Sequence, residues 1–205
     1  MIVVVDYASG NLNSVSKALK KFGNKVKISS KPADIMRSEK LVLPGVGAFG
    51  DAAVKLKKLK LITPLKEFIL SGRPFLGICL GMQLLFERSE ESMSIKGLGV
   101  FKGSVRRFKA NKNIKVPHIG WNEVSLNKDN KSAKKLFKDI KNKEFVYFCH
   151  SYYVDGVKPA YVAGNTSYSR KFVSAVSKDN VFAVQFHPEK SQQVGLKILK
   201  NFIAL

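Results

Sequence analysis

The stretch Pro74-Phe75-Leu76-Gly77-Ile78-Cys79-Leu80-Gly81-Met82-Gln83 decides how the rest of the chain is read. Its first half is a short apolar run, the pattern of a strand buried on both faces. From Leu80 to about Arg88 the apolar residues recur at helical spacing, so a helix is expected directly after the strand. That leaves Cys79 alone to make the turn. Gly77 and Gly81 flank it and permit a tight bend that side chains would crowd. This is the Gly-x-Cys-x-Gly counterpart of the nucleophile elbow, which lifts a side chain above the carboxyl edge of a sheet. A helix N-terminus beside the sulfur favours the thiolate. By itself the pattern suits a buried structural cysteine equally well, since free Cys is commonly buried.

Outward from this stretch, short apolar runs alternate with segments of 3.6-residue period, which predicts an α/β sheet. Ile2–Val5, Val26–Ser30, Leu41–Leu43 and Pro74–Ile78 read as strands. Leu12, Val15, Leu19 and Phe22 mark one helix face, with Gly23 placed to end that helix. A largely helical segment is expected over Ala52–Leu70, interrupted near Pro64. The second half is richer in strand, with candidates at Gly99–Phe108, His118–Val124, Phe145–His150, Ala160–Ala163, Phe172–Val176 and Val181–Phe186. A last helix is expected from about Ser191 to Phe202. Lys109–Lys115 and Asn127–Lys143 read as exposed, polar and mobile. No internal repeat or linker interrupts the chain, so 1–205 is expected to form one domain.

A cysteine nucleophile needs a base, and the base needs a group to orient it. His187, in Phe186-His187-Pro188-Glu189, follows an apolar strand. It shares the edge of the elbow if that strand is parallel to the one before Cys79. Glu189 can hold one imidazole nitrogen and leave the other for the sulfur. Pro44-Gly45-Val46-Gly47 also follows a strand, and its backbone can aim an N–H at a developing oxyanion. In isolation each of these is an ordinary turn.

The 205 residues carry 36 Lys and Arg against 15 Asp and Glu, a formal charge of +21. Such a charge raises nucleic-acid binding as a hypothesis. Against it, only six of the basic residues are Arg, the residue that leads in base readout. The lysines are spread along the whole chain, and no nucleic-acid-binding motif accompanies them. A solvated surface, or an acidic protein partner reached by electrostatic steering, accounts for the charge. No apolar run approaches the roughly 20 residues a membrane helix needs. Two cysteines are too few for a disulfide framework. Met1–Tyr7 reads as a buried strand and not a leader, so the cytoplasm is the expected location.

The combination, in order, of strand–Pro-Gly-Val-Gly, strand–Gly-x-Cys-x-Gly–helix and strand–His-Pro-Glu–helix resembles the class I (triad) glutamine amidotransferases. Asp6–Asn11, Pro44–Asp51, Val116–Asn122, Tyr147–Tyr153 and His187–Ser191 extend the resemblance over essentially the whole chain. Within the family, Gly120-Trp121-Asn122 and the Lys190-Ser191 that follows His-Pro-Glu point to the branch serving histidine biosynthesis.

The resemblance implies a three-layer, mostly parallel open sheet of flavodoxin-like type with helices on both faces and extra antiparallel strands in the second half. It implies hydrolysis of L-glutamine through a thioester on Cys79, with His187 as base and Glu189 orienting it. Val46 and Leu80 would supply the oxyanion N–H groups. Gly45, Gly47, Gln83, His150, Ser151 and Tyr152 would bind substrate. No metal or cofactor is implied. Ammonia would pass to a (β/α)8-barrel cyclase in a heterodimer, with Asn11, Trp121 and Lys190 facing it. A paralogous role, amidination of a bacterial surface sugar, fits the same motifs. His118 is expected to be structural and Cys149 to lie in the core. Ala8 stands where the family often has Gly.

Overall fold

Along each short strand the apolar side chains alternate between two faces, and both faces need cover. The computed structural model describes residues 1–8, 10–112 and 114–205. Ser9 of the Asp6–Asn11 stretch and Asn113 of Lys109–Lys115 lie outside the described residues. The first half runs β1 (Ile2–Val5), α1 (Leu12–Lys20), β2 (Val26–Ser29), α2 (Pro32–Arg37), β3 (Lys40–Leu43), α3 (Phe49–Lys58), α4 (Ile62–Leu70) and β4 (Phe75–Ile78). Next come α5 (Leu80–Gln83), β5 (Arg88–Ser89), β6 (Ser104–Arg107), β7 (His118–Leu126), α6 (Ala133–Leu136) and β8 (Glu144–His150). The chain ends with β9 (Tyr152–Asp155), β10 (Val162–Ser167), β11 (Lys171–Lys178), β12 (Val181–Val184) and α7 (Gln192–Ile203).

The sheet order is β2-β1-β3-β4-β12-β11-β10-β7-β8, with β5, β6 and β9 branching from it. From β2 through β12 all neighbours are parallel. From β12 through β8 all are antiparallel. Val3, Val5, Leu41, Leu43 and Phe75 meet Ile35, Leu56, Leu65 and Phe68 of α2, α3 and α4. Ile2, Val4, Val42, Leu76 and Ile78 point the other way, against Val15 and Leu19 of α1 and Ile198, Leu199 and Phe202 of α7. Three layers result, because a strand buried on both faces must be covered twice. The carboxyl ends of β1, β3, β4 and β12 therefore lie side by side on one edge. In an α/β sheet that edge is where ligands bind.

Several local expectations change. The break between α3 and α4 falls at Leu59–Leu61, where Lys60 takes φ 55°, and not at Pro64. Pro64 sits in the first turn of α4, where backbone N–H groups lack intrahelical partners anyway. The helix after Cys79 lasts only to Gln83. Beyond it the backbone turns inward, and the carbonyls of Leu84, Leu85 and Phe86 accept from Leu98, Val100 and Gly99. The strand expected over Gly99–Phe108 shrinks to Ser104–Arg107. Asn127–Lys143 is not an exposed loop. Buried Asn130 donates to Ala160, Val162 and Ser177 carbonyls, and α6 buries Ala133 and Leu136 beside α7. The helix α2 and the strand β9 carried no sequence signal.

Gly81 closes the crossing of the elbow over β3, for a Cβ there would lie 1.8 Å from the Leu43 carbonyl oxygen. Gly77 is packed against the same turn, its Cβ position 2.9 Å from the Gly81 oxygen. Gly81→Ala should therefore cost about 3 kcal/mol through overpacking. A lowered urea midpoint with an unchanged m-value would show it; an unaltered midpoint would mean the elbow can relax.

Candidate active site

The elbow is built as the glycines require. Cys79 takes φ 53° and ψ −109°, a conformation rare for a side-chain-bearing residue. Such strain costs on the order of 1–3 kcal/mol and is held by surrounding packing. The Cys79 N–H donates to the Val184 carbonyl at 2.8 Å, joining the elbow to β12. β12 runs parallel to β4 with Val184 opposite Ile78, so His187, just past β12, reaches the same edge as the sulfur. The turn carrying His187 is tied down on both sides. Its N–H donates to the Tyr147 carbonyl, and Ser191 Oγ donates to the His187 carbonyl while accepting from Tyr147 N–H.

His187 and Glu189 are almost wholly buried, and His187 Nδ1 meets Glu189 Oε1 at 2.8 Å. That leaves Nε2 for the Cys79 sulfur, which lines the same cavity. Burial is the largest influence and pulls the His187 pKa down. The hydrogen bonds and charges of Cys79 and Glu189 overcome it and raise the value from 6.5 to about 10. The imidazolium is thus the form favoured beside Cys79 and Glu189. Asn11 Nδ2 also donates to Glu189 Oε1. Glu189 Oε2 is buried and finds no hydrogen-bond partner among the described residues.

A cavity of about 290 Å³ opens above the sulfur. That is the small end of ligand cavities, which run roughly 300–1,000 Å³. Of the residues expected here, Val46, Gly47, Cys79, Leu80, Gln83, His150, Ser151, Tyr152 and His187 line it. Gly45 does not. Its carbonyl instead accepts the Leu80 N–H at 3.3 Å, so an expected oxyanion donor is engaged by the neighbouring loop. Gln83 donates from Nε2 to the Tyr152 carbonyl and to Gln185 Oε1, at 3.1 and 3.0 Å. Its Oε1 is therefore the atom left to accept from a ligand.

Two of the expected partner-facing residues sit closer to the chemistry than a docking role requires. Asn11 holds the carboxylate of Glu189, and Lys190 lines the cavity with its ammonium 5.7 Å from the Tyr147 ring centroid. Trp121 is 45% exposed, on the outer face of β7. Cys149 is a correction: it is exposed, not core. In β8 the buried positions are Val146, Phe148 and His150, and Cys149 falls on the opposite parity.

Two residues at the site went unread in the sequence. Glu91 lines the cavity, and its Oε2 accepts the Phe49 N–H at 2.6 Å. It lies in a charged loop run with no periodicity to mark it. Gln185 is fully buried, and its Nε2 lies 3.6 Å from the Cys79 sulfur. A glutamine one residue beyond an apolar strand was a usable signal, being a polar residue in a place that must be buried.

Beside the cavity His118 and His150 form a buried pair, Nδ1 to Nε2 at 3.1 Å. His150 Nδ1 lies 2.7 Å from the Tyr152 carbonyl, which only accepts, so that nitrogen carries the proton. It follows that His118 Nδ1 donates to His150 Nε2, and His118 Nε2 accepts from Asn122 Nδ2 at 3.3 Å. Burial holds His118 down to about 4. Burial also dominates at His150, opposed by the Tyr152 contact and aided by His118 and His187, bringing it to about 3.

Removing the carboxylate charge with Glu189→Gln should lower glutamate release about 10²–10⁴-fold, the range for a displaced acid–base group. A loss under threefold would show that Glu189 does not orient the base. The histidine pair makes a second prediction. The unfolded chain protonates both imidazoles below about 6.5 while the native state keeps them neutral. Stability should therefore fall as pH drops from 6.5 toward 4. His187, with a raised value, has the opposite sign: its contribution is complete below 6.5 and is lost only as pH climbs through about 10. Urea unfolding across pH 4–6.5 should give a shallower slope for His118→Phe than for the parent; equal slopes would contradict the burial effect.

Comparison with known proteins follows the same lines. The family model described as "Glutamine amidotransferase class-I" matches residues 3–205. The imidazole glycerol phosphate synthase subunit HisH 1 of Campylobacter jejuni (strain RM1221) is 48% identical over 206 residues, covering 100% of both chains. The corresponding subunit HisH of Methanocaldococcus jannaschii is 48% identical over 205 residues, again with 100% of both covered. A solved structure described as a glutamine amidotransferase aligns with TM-score 0.75 at 16% identity, over 100% of this chain and 98% of the other. PurLQS of Thermotoga maritima aligns with TM-score 0.74 at 19% identity, over 99% and 97%. At such identities the structural likeness concerns the fold. With the family model spanning nearly every residue and relatives near half-identical from end to end, the chain belongs to the class I glutamine amidotransferases.

Proposed function

We propose that the protein hydrolyses L-glutamine and delivers the ammonia to imidazole glycerol phosphate formation in histidine biosynthesis. The observation that carries this is the buried His187, held by Glu189 at 2.8 Å and lining one cavity with Cys79. Cys79 thiolate attacks the carboxamide carbon, and the C=O electrons move to oxygen. His187 gives its proton to the departing nitrogen, and ammonia leaves. Water, deprotonated by His187, then attacks the thioester; glutamate departs and the thiolate returns. Gln83 Oε1 can accept an N–H of the substrate, and the Glu91 carboxylate suits its α-ammonium. The 151–152 backbone grips the amino-acid end. Full-length relatives named for this synthase favour the histidine pathway over sugar amidination.

The oxyanion pocket is closed by the Gly45 carbonyl on Leu80 N–H. Turning the Gly45–Val46 peptide over would free Leu80 N–H and point Val46 N–H at the same spot. A Cβ at Gly45 would lie 2.0 Å from the Tyr7 hydroxyl, which itself donates to the Pro44 carbonyl. The peptide thus acts as a switch that a partner sets, and turnover is low until it does.

The partner is a (β/α)8-barrel cyclase, bound one-to-one, and nucleic acid is not a ligand. Its docking surface is the outer face of β7 and β8. There Ile119 pairs with Cys149, Trp121 with Tyr147 and Glu123 with Phe145. Ile119, Trp121 and Phe145 are 58%, 45% and 52% exposed, an apolar cluster on the edge pair of strands that needs covering. Cys149 and Lys190 carry this face to the rim of the cavity. We read 1–205 as one domain, since one sheet runs through it. Among the described residues no helix is long and apolar enough to cross a membrane, and a cytoplasmic site fits a biosynthetic subunit with free thiols.

The test is glutamate release from glutamine, with and without the same organism's barrel cyclase and its nucleotide ligand. Strong stimulation that Cys79→Ala abolishes is expected. Full turnover by the isolated subunit would overturn the switch, and no turnover with the cyclase would overturn the pathway.

A further inference from the structure

The Cys79 sulfur has two polar neighbours: the Cys149 carbonyl, to which its S–H donates at 4.0 Å, and a directed chain of amides. That chain starts at the Tyr152 main-chain carbonyl, which cannot donate. That carbonyl accepts from His150 Nδ1 at 2.7 Å and from Gln83 at 3.1 Å, so the Gln83 atom facing it must be Nε2. The second hydrogen of Gln83 Nε2 then goes to Gln185 at 3.0 Å, and the receiving atom must be Oε1. With its oxygen so committed, Gln185 can present only Nε2 to Cys79, at 3.6 Å from the sulfur. The amide cannot turn over without setting two N–H groups against each other. Gln185 is 0% exposed, so no water competes for that N–H, and its backbone is anchored by a 2.9 Å bond to the Ser174 carbonyl.

We infer that Gln185 is a further functional residue of the reaction: it donates a hydrogen bond to the Cys79 sulfur, holds it toward the cavity and stabilises the thiolate. An N–H facing sulfur satisfies an anion better than a neutral S–H, and in a water-free site that preference is strengthened. The donor also faces the leaving group of the second half-reaction. When water expels the thiolate from the thioester, the charge that returns to sulfur meets an N–H already in place. His187 supplies the proton traffic, and Gln185 supplies a fixed dipole that never titrates. The same chain links the nucleophile to Tyr152, on the strand that would grip the substrate. A substrate that pulls on the 151–152 backbone therefore also tightens the donor behind the sulfur.

The inference rests on the glutaminase reading, but its test can be read without glutamine. Alkylation of Cys79 by iodoacetamide, followed on the Cys79 peptide by mass spectrometry so that exposed Cys149 does not interfere, reports the sulfur alone. Gln185→Met keeps the length and removes the donor. Gln185→Glu keeps an oxygen for Gln83 and sets a carboxylate against the sulfur. At pH 7 alkylation should slow about tenfold in Gln185→Met and further in Gln185→Glu, with the deficit closing as pH is raised toward 10. With the cyclase present, kcat should fall at least tenfold and KM change less than threefold. A merely structural role would give a deficit independent of pH. If both variants, melting at the parent's temperature, alkylate at the parent's rate at pH 7 and keep kcat within twofold, the inference is overturned. If the parent itself releases no glutamate while the alkylation difference persists, the glutaminase reading fails and the role of Gln185 at the sulfur stands.

Discussion

The site depends on one backbone hydrogen bond, from Cys79 N–H to the Val184 carbonyl at 2.8 Å. It continues the parallel ladder of β4 and β12 by one rung past the last paired residues, Ile78 and Val184. Cys79 and His187 belong to turns that follow two different strands, separated by about half the chain. Only the register brings them together. A slip of one residue would turn every side chain of β12 to the opposite layer, forcing Phe182 and Val184 into the places of Val181 and Ala183 and moving His187 off the edge. Because both faces of β12 are buried, the core enforces this register, and the placement of His187 beside Cys79 follows from packing alone.

Around the sulfur the protein accepts unfavourable local terms. Cys79 sits at positive φ, and Glu189 keeps a buried oxygen without a partner among the described residues. Gln83, Gln185, His118, His150 and His187 are all buried polar groups, which would be costly if left unmatched. The matching is nearly complete. Each donor of the chain from Asn122 through His118 and His150 to the Tyr152 carbonyl has one acceptor, and so has each donor from Gln83 to the sulfur. Such a network permits a single arrangement, so its members stay where substrate will need them. The Gly45–Val46 peptide lies outside this network, its carbonyl accepting the Leu80 N–H at 3.3 Å.

Charge and docking separate along the same lines. The +21 surface is carried mainly by lysines scattered over the chain, while the face beside the cavity is apolar, built from Ile119, Trp121 and Phe145. A partner seated there would cover the exposed edge strands β7 and β8 and the cavity rim together. Ammonia formed at Cys79 would then leave into the partner and not into bulk water.

The sequence by itself marked the strands β1, β3, β4 and β12, because each is a short apolar run, but it left open whether β12 runs parallel to β4. It also determined which cysteine, histidine and glutamate to consider, because each stands just past such a run. It could not say how far the helix after Cys79 extends. That was decided at Leu84–Phe86, whose carbonyls are taken by the distant loop Leu98–Val100. Nor could it place Cys149, whose side of the strand depends on the register of β8 against β7. Asn11 against Glu189, Gln185 against the sulfur and Glu91 in the cavity were likewise decided only by tertiary structure. The physical reason is common to all of them. Periodicity and turn chemistry act over a few neighbouring residues, whereas the satisfaction of a buried polar atom is settled between segments many residues apart, after the strands have paired.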